Sequence, residues 1–413
     1  MDTLLPFAVC LVLITLASVR YHLPPFLTLT GAAVLFGVLS GMPVDVFMPA
    51  VTAGAGRIFA ILGIVIFAGV VIAQVLRESG RIEDIVADIR KVARHPLYTA
   101  GIAGYLLSVP LMCGITSFVI LAPIVSHLRS ERAAATTLLF VTGVAGIISY
   151  VLLYPSPVIH TVVTTLGLYP GEPWRVDLFT LPISLLLLSA LLLFWRSRIP
   201  AGEAPEQRSG GGIAVRTWLP LIVLFLMLGI GFIVPPLRGL SNIYIALLAA
   251  LFVALIDVPA DVRERALARG TKNAGIIIFD LTGAGAFGGV IAASTFPSDV
   301  AALVAGHLPG LLLPFVIAAL LQAAQGSRVV TAAVTATVLS TTGLVPELHP
   351  AALVLMIAAG AFMFSYVSDP FFWLLKRTTG EGFETVVRRY TLPLSIAGVV
   401  TLAAALLVEA ALG

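Results

Sequence analysis

The sequence predicts an all-α polytopic membrane protein of two inverted-topology repeats, each with a re-entrant hairpin and a broken helix. Three observations carry that expectation. Of 413 residues, 59% are hydrophobic and 11% charged, against roughly 25% charged in an ordinary soluble domain. Apolar runs near the ~20 residues that cross a hydrocarbon core recur from Leu4 to Leu412. Two of them are interrupted halfway by Gly, Pro and polar residues, and the order of interruptions repeats in the two halves.

Hydropathy places spans near 4–19, 23–40, 58–76, 136–154, 177–195, 217–235, 241–257, 274–293, 350–368 and 391–410. The first, "LLPFAVCLVLITLASV", has only Asp2 before it and lacks the basic flank of a cleaved signal, so it reads as a retained span. The interrupted runs 97–128 and 309–341 read as hairpins that enter and leave on one side. Twenty Lys and Arg then fall on one side and Arg57, Arg175 and Arg238 on the other, with Arg328 the remaining one of 24. The rich side is cytoplasmic by the positive-inside rule, which places both termini outside the cell membrane. The net charge of +3 sits in loops and gives no nucleic-acid surface. Cys10 and Cys113 lie far apart in apolar segments, with neither disulfide nor metal spacing.

Two local patterns have plain readings. "RESGRIEDIVADIRKVARHP", 77–96, alternates charge with Ile and Val at helical spacing, as an interfacial helix does. "GAGAFGG" follows no strand and lies in lipid, so close helix packing explains it better than a phosphate loop.

The stretch "RSRIPAGEAPEQRSGGGIAVR", 196–216, divides a first repeat (1–196) from a second (217–413), with 197–216 as a cytoplasmic linker. "FAGVVIA" at 67 returns as "FGGVIAA" at 287, and Pro155 returns as Pro370. Five crossings in the first half put the second half in upside down, the architecture of carriers whose site lies at the midplane.

Four breaks follow: "VPLMCGITSF", "YPSPVIH", "QAAQGSRVV" and "SYVSDPFFW". Freed backbone groups at membrane depth must be buried in protein or line a wet cavity, so the breaks are expected to converge. N–H groups beside Gly114, Thr116, Gly326 and Ser327 suit an anion, with Ser117 and Gln325 at the same tips. Arg328 sits inside an apolar run, where an arginine costs at least ~2.5 kcal/mol. Its five fixed donors match a carboxylate; the alternatives are a structural pair with Asp369 or Asp280, or a snorkelling side chain. Asp369 and Asp280 are desolvated acids able to carry a proton, Asp280 also fitting a hydrogen-bonded structural role. His160 fits a proton relay or a satisfied core histidine.

At these residues the sequence resembles the gluconate permease family, gluconate:proton symporters of the ion transporter superfamily. The resemblance spans nearly the whole chain. It is strongest in "AAQGSRVVTAAVTA" (323–336) and "SYVSDPFFWLLKRTTGEGFETVVRRYT" (365–391), and weaker in "LSGMPVD", "GIVIFAGVVIAQVLRESG", "VPLMCGITSFVILAPIV" and "GAGAFGGVI". It implies uptake of sugar acids or small hydroxycarboxylates with protons by a homodimer in the lipid membrane. The chain departs from gluconate carriers where Cys113, Gly114, Thr116 and Ser117 replace an acidic residue's neighbourhood. Tyr154 and Ser156 stand where histidines do, Tyr366 and Ser368 where a histidine and an asparagine do, and Arg328 is added. A different anion is expected.

Three functions compete: a proton-coupled organic-anion carrier, with sodium as the alternative coupling ion; an intramembrane enzyme using Asp280 and Asp369 as a carboxylate pair; and a passive anion channel. The carrier needs no cofactor, no resident metal and no catalytic residue. It is the leading expectation.

Overall fold

In lipid every backbone N–H and C=O must be satisfied within the protein, which makes helices of the apolar runs. The computed structural model describes residues 3–21, 23–93, 95–129, 131–197, 215–256, 258–299, 309–340, 347–366 and 368–413. Of the expected linker, only Ser197, Val215 and Arg216 fall among them. The described residues form helices and no strands. Five helical stretches among them are long and apolar enough to cross a membrane, accompanied by shorter apolar helices.

In chain order the helices are α1 (Leu4–Arg20), α2 (Pro25–Leu39), α3 (Val44–Glu78), α4 (Arg81–Val92), α5 (Pro96–Ser108), α6 (Gly114–Ser126), α7 (Arg132–Leu152) and α8 (Pro157–Thr165). Then come α9 (Asp177–Arg196), α10 (Val215–Ile233), α11 (Ile243–Ile256), α12 (Ala260–Ala293), α13 (Leu313–Gln325) and α14 (Arg328–Leu339). The last are α15 (Pro350–Phe362), α16 (Pro370–Thr379), the short α17 (Phe383–Val386), a π turn (Val387–Thr391) and α18 (Leu392–Leu412). Helices α3 and α12 start well before the expected 58 and 274. Charged residues such as Arg57, Arg265 and Arg269 end the apolar window there without ending the helix, since Arg, Lys, Glu and Ala are good helix formers.

All four expected breaks are present: 109–113 after α5, 153–156 after α7, 326–327 after α13 and, after α15, a break that includes 363–366 and 368–369. A new helix start leaves orphan N–H groups, and after each break one side chain accepts from them. Cys113 Sγ accepts from Thr116 N, Ser156 Oγ from Ile159 N, Ser327 Oγ from Val330 N and Asp369 Oδ1 from Phe371 N. Bulky residues take left-handed conformations at two breaks, Met112 at φ 53 and Phe364 at φ 52.

The chain forms two compact units. One holds residues 1–63, 151–185 and 277–413. Its centre is α14, buried along its whole length, and α15, buried except for Pro350. Helix α15 packs against α13 and α18, and α14 against α8 and α13. Small residues allow the approach: a Cβ on Gly360 would lie 2.5 Å from Ala318 Cβ, and one on Gly54 of α3 would lie 2.2 Å from the Gly285 carbonyl of α12. The Thr3 hydroxyl and N–H both donate to Asp299, holding its carboxyl below the usual value.

The other unit holds residues 64–150 and 186–276. In it the amphipathic α4 buries Ile82, Ile85, Val86 and Ile89 and packs on α5, α6 and α10. Trp218 Nε1 and Lys91 Nζ donate to Asp88 at 3.0 and 2.7 Å. The expected interfacial helix therefore has its apolar face covered by protein. Glu78, at the end of α3, pairs with Arg265 and Arg269 of α12.

Two glycines on α3 give a sharp comparison. Gly54→Ala should lower melting stability in detergent by ~1–3 kcal/mol through overpacking. Gly56→Ala, whose new Cβ meets no heavy atom within 4 Å, should be neutral or raise it by about 0.5–1 kcal/mol. Equal melting shifts would contradict the α3–α12 contact.

Candidate functional site

A cluster of polar side chains lies inside the first unit, where the break before α14 meets the break before α16. The α13–α14 tip turns at Gly326, at φ +73, a conformation glycine adopts without a Cβ penalty. A Cβ there would lie 2.2 Å from the Ser368 carbonyl oxygen and 2.6 Å from Asp369 Cα, so the tip rests directly on the second break. Gln322 holds it from below. Its Nε2 donates to the Gly326 carbonyl at 2.9 Å, and its Oε1 accepts from Thr331 Oγ1 at 2.9 Å. Ser368 Oγ donates to the Gln322 carbonyl at 3.5 Å. Gln325 ends α13.

One residue past the tip, Arg328 opens α14 and is only 6% exposed. Its Nη2 donates to Asp369 Oδ2 at 3.0 Å, Ser365 Oγ at 2.9 Å and the Tyr390 hydroxyl at 2.9 Å. Tyr390 in turn donates to Asp369 Oδ2 at 2.6 Å. Asp369, 1% exposed, thus serves two elements: Oδ1 caps α16 while Oδ2 receives Tyr390 and Arg328. Of the alternatives the sequence leaves for Arg328, the pair with Asp369 is the one formed. Such a burial needs the pairing, because an uncompensated charge at this depth is strongly unfavourable.

Asp369's second oxygen is committed to Phe371 N, and this leaves a mark on Arg328. Among the described residues its Nε, buried, has no hydrogen-bond partner. Nη2 of this guanidinium is fully engaged on protein oxygens while Nε, another donor of the same group, is unused.

Sequence reasoning missed Tyr390 and Ser365. Tyr390 lies in the π turn Val387–Thr391, and its ring stacks on Phe371 with centroids 5.4 Å apart. A π turn inside a helix is rare and often marks a functional site, but a Tyr entering an apolar span reads in sequence as an interfacial aromatic. Thr391 Oγ1 donates to the Ser365 carbonyl at 2.7 Å, tying the same turn to the break.

The other expected site residues sit elsewhere. Asp280 accepts from Phe26 N at 3.3 Å, satisfying an orphan N–H at the start of α2. His160 is buried on α8, its ring 6.1 Å from that of Tyr154. Ser156 caps α8, and Tyr154 N donates to Asp177 Oδ1 at 2.9 Å. Tyr366 is exposed. Gly114, Thr116 and Ser117 open α6 in the other unit, where Ser117 Oγ is buried and has no hydrogen-bond partner among the described residues. Those residues also contain no group of three metal-ligating side chains.

The GntP family permease model matches residues 2–185 and 230–411. The chain is similar to the D-serine transporter DsdX of Escherichia coli K12, 25% identical with 97% of each chain covered. It is similar to the high-affinity gluconate transporter of the same strain, 23% identical over 92% of this chain and 93% of that one. Similarity to the gluconate permease of Pseudomonas aeruginosa is 24%, over 97% and 96% of the two chains. Among solved structures, the Alcanivorax borkumensis YdaH transporter is similar at TM-score 0.60 and 16% identity, covering 88% of this chain and 87% of that one. Neisseria gonorrhoeae MtrF is similar at TM-score 0.57 and 14% identity, covering 90% and 85%. At these identities the structural likeness is one of fold.

The contact of tip and break is open to a direct check. Gly326→Ala adds a Cβ against backbone at a left-handed φ, where neither the new side chain nor the neighbour can yield. It should cost more than ~1–3 kcal/mol of melting stability, the usual overpacking range. A variant as stable as the parent would mean that the tip does not sit on residues 368 and 369.

Proposed function

The chain belongs to the GntP family of permeases, and on that premise we propose a secondary active carrier that moves a small organic carboxylate, a sugar acid foremost, with protons by alternating access. Family membership makes it a multi-pass membrane permease with a small-molecule substrate and sets the enzyme alternative aside. The observation that carries the substrate class is the unused donor of Arg328. A buried Nε without a partner among the described residues, on the same guanidinium as an engaged Nη2, suits a ligand carboxylate. D-serine and gluconate, named for two relatives, share a carboxylate next to a carbon bearing an amino or hydroxyl group. A guanidinium reads the part they have in common.

The transport architecture we propose is two inverted repeats, 1–196 and 217–413, with α5–α6 and α13–α14 as re-entrant hairpins. Paired contacts support it. Gly270 packs on Val71 in one unit and Gly289 on Ala50 in the other. The offset that carries Phe67 to Phe287 carries Ala50 to Gly270 and brings Val71 within two residues of Gly289. Each broken helix is also held by the start of the next span, Tyr154 by Asp177 and Ser365 by Thr391.

Counterflow in proteoliposomes against sugar acids, hydroxy acids and dicarboxylates, with and without sodium or a pH gradient, tests the function. At least one carboxylate should exchange and accumulate under a pH gradient; uptake beyond the anion's electrochemical equilibrium would exclude a passive channel. Arg328→Lys keeps the charge and loses the fork, so it should weaken binding about tenfold or more. Unchanged affinity in Arg328→Ala would exclude contact with substrate. Asp369→Asn should retain exchange and lose pH-driven accumulation.

The hairpins have their own test. With Cys10 and Cys113 removed, single cysteines at 117 and 327 should resist impermeant thiol reagents from the face their hairpin does not reach. Free labelling of either from the face its hairpin does not reach, whatever the conformational state, would contradict the re-entrant arrangement.

A further inference from the structure

Arg328 and Asp369 are held with unequal freedom. Asp369 is fixed three ways: Oδ1 on Phe371 N, Oδ2 on the Tyr390 hydroxyl, and its Cα pressed on Gly326. Arg328 reaches the same oxygen through a long side chain with several rotatable bonds. If one of the two is to change partner, the guanidinium moves and the carboxylate stays. Among the described residues, Asp369 hydrogen-bonds no other charged or titratable side chain. The flanking elements offer Gln322 on α13, bound to the tip, and Ser365 after α15, bound to Arg328 and to the Phe362 carbonyl.

We infer that the substrate carboxylate and Asp369 compete for Arg328, that Tyr390 retains Asp369 during the exchange, and that the coupling proton binds Asp369 at that moment. The inference rests on the carboxylate-carrier function proposed above and says how its two cargoes are linked. The incoming carboxylate first meets Nε. To become bidentate it also takes an Nη donor, and Asp369 Oδ2 loses its one ion-pair partner among the described residues. A carboxylate this deep without a cation is stable only as the neutral acid, so a proton from water binds Oδ2. The phenol, which donates to Oδ2 in the ion pair, is placed to accept from the new O–H. One negative charge enters with the substrate and one proton joins Asp369, so the cluster's net charge is unchanged. Tyr390 acts as a positioning residue.

The test is proton release or uptake on binding, measured on purified protein in weak buffer with a pH indicator. The ligands are D-gluconate, D-serine and the panel of hydroxy acids and dicarboxylates. We expect about one proton taken up per carboxylate bound, with Kd rising about tenfold per pH unit where uptake occurs. Asp369→Asn keeps an amide oxygen to cap α16 and removes the competitor. It should bind with no proton uptake and no pH dependence, at least as tightly as the parent. Tyr390→Phe should still bind and take up a proton, with its Kd profile displaced to higher pH because the carboxylate has lost a donor. A Tyr390→Phe profile superimposable on the parent's would remove Tyr390 from the mechanism. Binding by the parent without proton uptake would overturn the competition while leaving the carboxylate function intact, and needs no variant to fold. If no carboxylate binds, the proposed function itself has failed.

Discussion

The polar centre of the first unit is organised by the buried ion pair of Arg328 and Asp369. Arg328 and Asp369 are both almost wholly excluded from solvent, and each is costly there without the other; breaking such a pair by removing one partner typically costs ~3–5 kcal/mol. Because Asp369 also caps α16, and because Tyr390 and Ser365 bind the same guanidinium, three chain segments meet at one point. The tip before α14, the break between α15 and α16 and the π turn before α18 cannot shift independently without leaving a buried donor or acceptor unmade.

The polar residues inside the spans do two kinds of work, and the first is local. Every break creates a helix start, and every start consumes a side chain: Cys113, Ser156, Ser327 and Asp369. A residue used as a cap is less available to a ligand. Ser156 and Ser327, attractive as ligand groups because they are polar and deep, spend their oxygens on Ile159 N and Val330 N. Arg328 differs, since no backbone duty explains it and one of its donors is left over.

Much of this was legible in the sequence. The breaks could be read because Gly, Pro, Ser and Asp cluster within a few residues there, whereas isolated ones such as Pro49, Pro182 and Asp280 lie inside continuous helices. That Arg328 needs a partner follows from the expense of a lone charge, and the sequence left Asp369 and Asp280 both open. The starts of α3 and α12 were hidden because hydropathy reports lipid contact and not helix, and their first turns carry charge. Tyr390 was hidden for a different reason. It lies 62 positions beyond Arg328, and a π turn has no composition signature. The role of Asp280 could be named only as one of two, because its partner is the backbone of Phe26, 254 positions away.

A pair that holds three segments together also limits when they can move. If Arg328 left Asp369 with nothing in exchange, a guanidinium and a carboxylate would both be stranded in low dielectric, a state less favourable than the pair by the cost of two unmatched charges. A small anion on Arg328 and a proton on Asp369 remove that cost together, whereas either alone removes half of it. The tip would then be free to leave the break only when both cargoes are present. Obligatory coupling needs that condition, and here it would follow from burial and charge without a separate gate.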